Sequence, residues 1–178
     1  MSADTYLQTV STLLARLGSE EYSAIVDAGN LVATSLEGGH SLWVTHTAHG
    51  VVDELTGRAG GFIALRELKD VNDAEFGDVV LIGSPVGVAR HTIEFALGAQ
   101  RRGSKVVALT NVAFELEPTT VLEHATGKRL HEIADITIDI GGPTGDGVFD
   151  VEELRLRAIP HSGVTLVAGL WMILSHAL

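Results

Sequence analysis

The sequence predicts an α/β protein: a three-layer α/β/α sandwich with a doubly wound, mostly parallel five-stranded sheet, preceded by two helices. Two observations carry this expectation. Five short apolar runs rich in Val, Ile and Leu (Ser41–Thr45, Phe62–Leu65, Asp78–Ser84, Lys105–Thr110 and Asp135–Ile140) are mostly continuous rather than alternating. That is the pattern of strands covered on both faces. Between them stand segments of helical spacing, Val51–Arg58, Thr92–Arg102 and Gly127–Ala134, and alternating strands and helices build doubly wound sheets.

Taken in order, Tyr6, Leu7, Val10, Leu13, Leu14 and Leu17 recur at helical spacing until Gly18. Ser19 then reads as the cap of a second helix with Glu20 and Glu21 in its first turn. Its apolar face is Tyr22, Ile25, Val26, Val32 and Leu36, and Gly38-Gly39 stops it. At the other end, Ser162–Leu178 carries no Asp, Glu, Lys or Arg. It is shorter than the roughly 20 residues that a membrane span needs, so it reads as a helix buried in a core or a subunit interface.

The chain has 178 residues, 46% of them hydrophobic and 20% charged, with no cysteine. This composition suits one domain over 1–178 and excludes disulfide frameworks, thiol nucleophiles and Cys-ligated zinc. With 12 Lys plus Arg against 23 Asp plus Glu, the net charge is −11. Such a surface repels nucleic-acid phosphates and anionic lipid, so the expected partners exclude nucleic acid and membranes. The N-terminus has no basic region followed by an apolar core, so a cytoplasmic protein is expected. His46 and His49 are three apart, and His131-Glu132-Ile133-Ala134-Asp135 has Asp where a zinc-protease helix needs its second His. No metal is expected.

In a doubly wound sheet, ligands bind beyond the carboxyl ends of the strands, which directs attention to 45–50, 84–91, 110–114 and 141–147. After the third run comes Ser84-Pro85-Val86-Gly87, a turn that aims N–H groups at a helix N-terminus and suits an anion. Arg90 and His91 in the first turn of that helix oppose the dipole preference, a placement that a bound anion would explain. The plainer reading makes Ser84 a helix cap and Arg90 a solvated charge.

Around this turn lie Asp53-Glu54-Leu55-Thr56-Gly57-Arg58, Ile93-Glu94, Arg102-Gly103, Ala108-Leu109-Thr110, His124-Ala125-Thr126-Gly127-Lys128-Arg129-Leu130 and Pro143-Thr144-Gly145-Asp146. In this order the chain resembles the SIS (sugar isomerase) phosphosugar-binding domain, in particular its small stand-alone members and more distantly phosphoheptose isomerase. The resemblance implies an SIS-type fold and a sugar phosphate or related sugar derivative as ligand. It further implies a homodimer or homotetramer, and no cofactor is expected. Glu54 would be the base of an aldose–ketose isomerisation, with His161 or His49 as acid. Thr45, His46 and Thr47 would join Ser84, Gly87, Arg90, His91, Thr110 and Asn111 around the phosphosugar.

The chain departs from the family pattern at both ligand signatures. The Ser-x-Ser-Gly turn has Val86 for its second Ser, and Pro85 removes a backbone N–H. At roughly 1.5–3 kcal/mol per charge-assisted hydrogen bond, those losses weaken phosphate binding by orders of magnitude unless Arg90 or His91 compensates. The turn Thr45-His46-Thr47-Ala48-His49-Gly50 lacks the family's run of glycines. The family's C-terminal helix histidine falls at Thr165, with His161 one helical turn earlier. Two readings therefore stand: an isomerase using Glu54, or a non-catalytic sugar-derivative sensor or protein-interaction module. Glu54 pairing with Arg58 at i,i+4 on an exposed helix face is the plain alternative to a catalytic Glu54.

Overall fold

The computed structural model describes residues 2–45 and 50–178. Helix α1 (Ala3–Leu17) starts where the Ser2 hydroxyl accepts from Thr5 N at 3.1 Å, and ends at Gly18. Helix α2 (Tyr22–Glu37) begins later than the Ser19 cap predicts. The Ser19 hydroxyl instead donates back to Ala15 O at 2.9 Å, closing α1, and Glu21 stands at the N-cap of α2.

The strands are β1 (Leu42–Thr45), β2 (Leu65–Leu68), β3 (Val79–Ser84), β4 (Lys105–Thr110) and β5 (Ile136–Asp139), all parallel in the order β2-β1-β3-β4-β5. Helix α3 (Val51–Thr56) follows β1, α4 (Arg90–Arg101) follows β3 and α5 (Val112–Leu116) follows β4. Two expectations are corrected. The second strand starts where the predicted run Phe62–Leu65 ends, because this edge strand carries Arg66 and Glu67 and is less apolar than the loop before it. The predicted helix over Gly127–Ala134 is only a 3-10 turn, Leu130–Glu132, whose Leu130 and Ile133 pack beneath α4.

Alternate strand residues feed two cores, as the side-chain alternation of a strand requires. Val44, Leu81, Leu109 and Ile138 face α1, α2, α3 and a C-terminal helix, α6 (Ser162–His176). Val80, Ile82, Val106 and Ala108 face α4 on the other side. The sheet therefore lies between two helical layers. Leu166, Leu170, Ile173 and Leu174 of α6 are buried, so this apolar helix completes the core. Among the described residues no helix is long and apolar enough to cross a membrane. An antiparallel hairpin, β6 (Gly147–Val151) with β7 (Leu156–Pro160), separates β5 from α6. Its strands show too little apolar alternation to read as strands in the sequence.

Candidate functional site

The carboxyl ends of β3 and β4 lie side by side, with Ser84 in register with Thr110. Ser84 is buried, and its hydroxyl accepts from Gly87 N at 3.1 Å. It therefore closes the 84–87 turn rather than capping α4, whose N-cap, Ala89, has no side-chain bond. Gly87 has φ +61°, and a Cβ there would lie 1.8 Å from Glu115 Oε1. Only glycine satisfies both constraints.

Glu115 is fully buried beneath this turn. Thr110 Oγ1 donates to its Oε1, while His131 N at 3.3 Å and His131 Nδ1 at 2.5 Å approach Oε2. Burial pushes the Glu115 carboxyl above its ordinary value, and the bonds from Thr110 and His131 pull against that shift. Nothing in the local sequence marks Glu115. It sits on a five-residue helix, and its partners come from β4 and from the segment before β5.

Glu123, also missed by the sequence reading, accepts from Arg90 N at 3.0 Å through Oε2. Its own N–H donates to Val88 O at 3.3 Å, and Leu130 N donates to Gly87 O at 2.8 Å. The segment after α5 thus runs alongside the turn and places a carboxylate at the first N–H of α4. Arg90 and His91 are exposed. Asn111 caps α5 by accepting from Phe114 N at 3.1 Å and donates from Nδ2 to Gly142 O at 3.3 Å.

On the other side of the sheet, His161 precedes α6 and is wholly buried. Its Nε2 has no hydrogen-bond partner among the described residues and lies 3.6 Å from Asp146 Oδ1. Burial pushes the imidazole below its ordinary value, against the pull of Asp146. Gly142, at φ +98°, covers the ring so closely that a Cβ would meet Nε2 at 2.2 Å. Asp146 holds α6 in place, accepting from Ser162 N at 3.0 Å and Ser162 Oγ at 2.7 Å.

Glu54 lies on α3 with its side chain 37% exposed, ion-paired with Arg58 one turn on. Val51 at the start of that helix packs beside Gly83, which sets α3 next to the end of β3. Ser84, Gly87, Thr110 and Asn111 are therefore brought together. Thr45 is buried at the end of β1, where Val44 pairs with Leu81, and so ends lower in the sheet than Ser84. His46, Thr47 and His49 lie outside the described residues. Among the described residues no group of three or more His, Asp or Glu is arranged to hold a metal.

Beside the 84–91 turn opens a cleft of about 750 Å³. Val86 and Val88 line it from the turn, Phe114, Glu117, Thr119, Thr120, Val121 and Glu123 from α5 and the segment after it, Thr144 and Gly145 from the loop after β5, and Leu156 and Arg157 from β7. This volume is that of an ordinary small-molecule site.

This architecture is shared with known proteins. The chain superposes on a proposed phosphosugar isomerase of Bacteroides fragilis with a TM-score of 0.66 and 17% identity, over 96% of this chain and 85% of that one. It superposes on phosphoheptose isomerase of Neisseria gonorrhoeae with a TM-score of 0.61 and 15% identity, over 98% and 95%. With NanR of Vibrio vulnificus, solved in complex with ManNAc-6P, the TM-score is 0.62 at 14% identity, over 98% and 61%. The chain spans about half (47%) of a proposed phosphosugar isomerase of Silicibacter pomeroyi, at a TM-score of 0.59 and 19% identity over 94% of this chain. The fold is thus the SIS type that the motifs imply.

Its relatives in sequence are UPF0309 proteins. That of Oceanobacillus iheyensis is 26% identical, over 89% of this chain and 76% of its own length. That of Caldanaerobacter subterraneus is 28% identical, over 86% and 74%. No family model matches the chain.

Proposed function

We propose that this protein binds a sugar derivative in the cleft at the carboxyl edge of β3 and β4. The observation that carries the reading is the position of that cleft. It adjoins the turn after β3 in a fold whose neighbours are described as phosphosugar isomerases and a ManNAc-6P complex. Val86, which stands where the family has its second serine, lines it. The test is thermal unfolding against sugar phosphates, the matching free sugars and inorganic phosphate. A ligand at 100 times its Kd adds about 2.7 kcal/mol and raises Tm by several degrees. Unchanged Tm with every sugar would refute the reading.

A second reading, aldose–ketose isomerisation with Glu54 as base, is favoured by that carboxylate's partial exposure beside the end of β3. One carboxylate within reach of the proton next to the carbonyl is what the reaction needs. Glu54→Gln should then abolish turnover and leave binding largely intact; unchanged turnover would exclude Glu54 as the base. His161 would serve as acid only after the 141–146 loop uncovers it. A homo-oligomer fits the exposed Tyr22, Ile63 and Leu178 around Trp171, and sedimentation measures its size.

A further inference from the structure

We infer that the 141–146 loop is a lid over His161, and that a sugar phosphate entering the cleft opens it by drawing Arg157 away from the loop. This rests on the sugar-binding reading and adds how that same site is gated.

One six-residue loop touches both places. Gly142 lies against the His161 ring, where an added Cβ would meet Nε2 at 2.2 Å and Cε1 at 2.3 Å. Two and three residues on, Thr144 and Gly145 line the cleft. His161 is fully buried, and its Nε2 has no hydrogen-bond partner among the described residues. A nitrogen sealed in this way forfeits the hydrogen bond that water would give it. Closing the loop therefore carries a cost that opening recovers.

The loop is held firmly at its ends and loosely between them. Gly141 N donates to Asp139 Oδ1 at 3.0 Å, and the Asp146 carboxylate accepts from Ser162 N at 3.0 Å and Ser162 Oγ at 2.7 Å. Among the described residues, two side chains from outside donate to the stretch between: Asn111 Nδ2 to Gly142 O at 3.3 Å, and Arg157 NH1 to Thr144 O at 3.4 Å. Both are longer than an ordinary N–H···O bond of about 2.7–3.2 Å. Gly141, Gly142 and Gly145 have φ of +62°, +98° and +82°. Glycine changes φ at little steric cost, so hinges flank Pro143-Thr144.

Arg157 belongs to the lid and to the cleft at once. It lines the cleft, and its Nε and NH2 rest on Asp150 at 2.7 Å and 3.1 Å while NH1 reaches the loop. A phosphate offers NH1 a charged acceptor, and a charge-assisted bond is roughly twice as strong as one between neutral groups. A ligand shifts an equilibrium only as far as it binds one state better. The better state is the open one, because there NH1 is free of Thr144. The same movement uncovers His161 beside Asp146, so the acid of the second reading is exposed only when ligand is present.

The test follows exchange of imidazole Cε1 hydrogens with D2O by mass spectrometry at fixed pH, a label small enough to pass a bound sugar. The probes are N-acetylmannosamine 6-phosphate, arabinose 5-phosphate and their free sugars, with Tm recorded on the same samples. Without a probe, His161 should exchange about tenfold more slowly than the exposed His40. A sugar phosphate that raises Tm should speed His161 about fivefold and leave His40 unchanged. Arg157→Met keeps the stem and removes the tie, so His161 should exchange about threefold faster without a probe and gain nothing at a concentration that saturates the variant. Asn111→Ser keeps a helix cap and removes the Nδ2 donor, and should raise the probe-free rate about threefold as well.

The inference is overturned if His161 exchanges as fast as His40 without a probe, or if a phosphate raises Tm without speeding His161. It is also overturned if Asn111→Ser leaves the probe-free rate unchanged, or if Arg157→Met responds to that phosphate as the wild type does. In each of these cases the sugar-binding reading stands. Should Arg157→Met fail to fold, the wild type and Asn111→Ser decide. If no sugar or sugar phosphate changes Tm, the sugar-binding reading falls and this inference falls with it.

Discussion

Glu115 and His161 are both fully buried and titratable, and they lie on opposite sides of the sheet near its carboxyl edge. The chain treats them differently. Glu115 accepts hydrogen bonds from the Thr110 hydroxyl and from the backbone and ring of His131. His161 Nε2 accepts none, and Gly142 presses against it. A buried carboxylate keeps its charge only when donors replace water. An imidazole has a neutral form available near neutral pH and can be sealed in as such. The α4 side of the edge is therefore a fixed polar platform beneath a turn, and the α6 side is a closed plug around an imidazole whose proton burial disfavours.

The sharpest way to break this contrast is at Gly87. Gly87→Ala puts a methyl group on Glu115 at a positive φ, combining overpacking with left-handed strain. The expected loss is about 3–4 kcal/mol, read by urea unfolding, and a loss below about 1 kcal/mol would show that the platform gives way. Glu115→Ala comes next. It strands the Thr110 hydroxyl and two His131 donors in a buried space, costing about 2–3 kcal/mol.

His161→Leu should behave in the opposite way, because it replaces the unbonded Nε2 with carbon and gives up only the long 3.5 Å contact of Nδ1 with the Thr165 hydroxyl. Stability at pH 7 should stay level or rise by about 1 kcal/mol. Loss of more than that would mean that Nε2 has a partner in solution.

The two groups also tilt the pH dependence in opposite directions. The folded His161 holds its proton less well than the unfolded chain does. Stability therefore drops as pH falls through the ordinary histidine value, 6.5, where the unfolded chain gains a proton first. The folded Glu115 holds its proton better than the unfolded chain. Its contribution is complete below the ordinary 4.5 and is lost as pH rises through the raised value. His161→Leu should flatten the first limb of a Tm–pH profile, and Glu115→Gln the second. The smallest effect is expected at Val86, 38% exposed at the cleft. Val86→Ser should change stability by no more than about 0.5 kcal/mol and tighten inorganic phosphate several-fold by restoring a hydroxyl.

What could be read from the sequence follows from how local each signal is. β4 occupies the predicted run Lys105–Thr110, and β1 and β3 each begin one residue inside theirs, because central parallel strands must be apolar on both faces. β2 is an edge strand with exposed Arg66, so its apolar signal belongs to the preceding loop. The three-residue spacing of Leu130 and Ile133 suits a helix or a single 3-10 turn, and packing under α4 chose the turn. At the site, Ser84 and Gly87 were visible because a turn declares itself through residue type. Glu115 and Glu123 were not, because a surface glutamate and a glutamate placed under or beside a turn are written identically.

The hairpin of β6 and β7 has a consequence for how the chain folds. It is the one antiparallel pairing among the described strands, its partners 13 or fewer residues apart. Such a hairpin closes in microseconds. Every pairing in the main sheet joins strands separated by a helix, a long loop or another strand, so the loop-closure entropy is larger and formation slower. One wall of the cleft, with Leu156 and Arg157, can thus be assembled before the strands it will face have found one another. Ligand-competent protein should then appear with the slow sheet-forming phase and not with the fast local one.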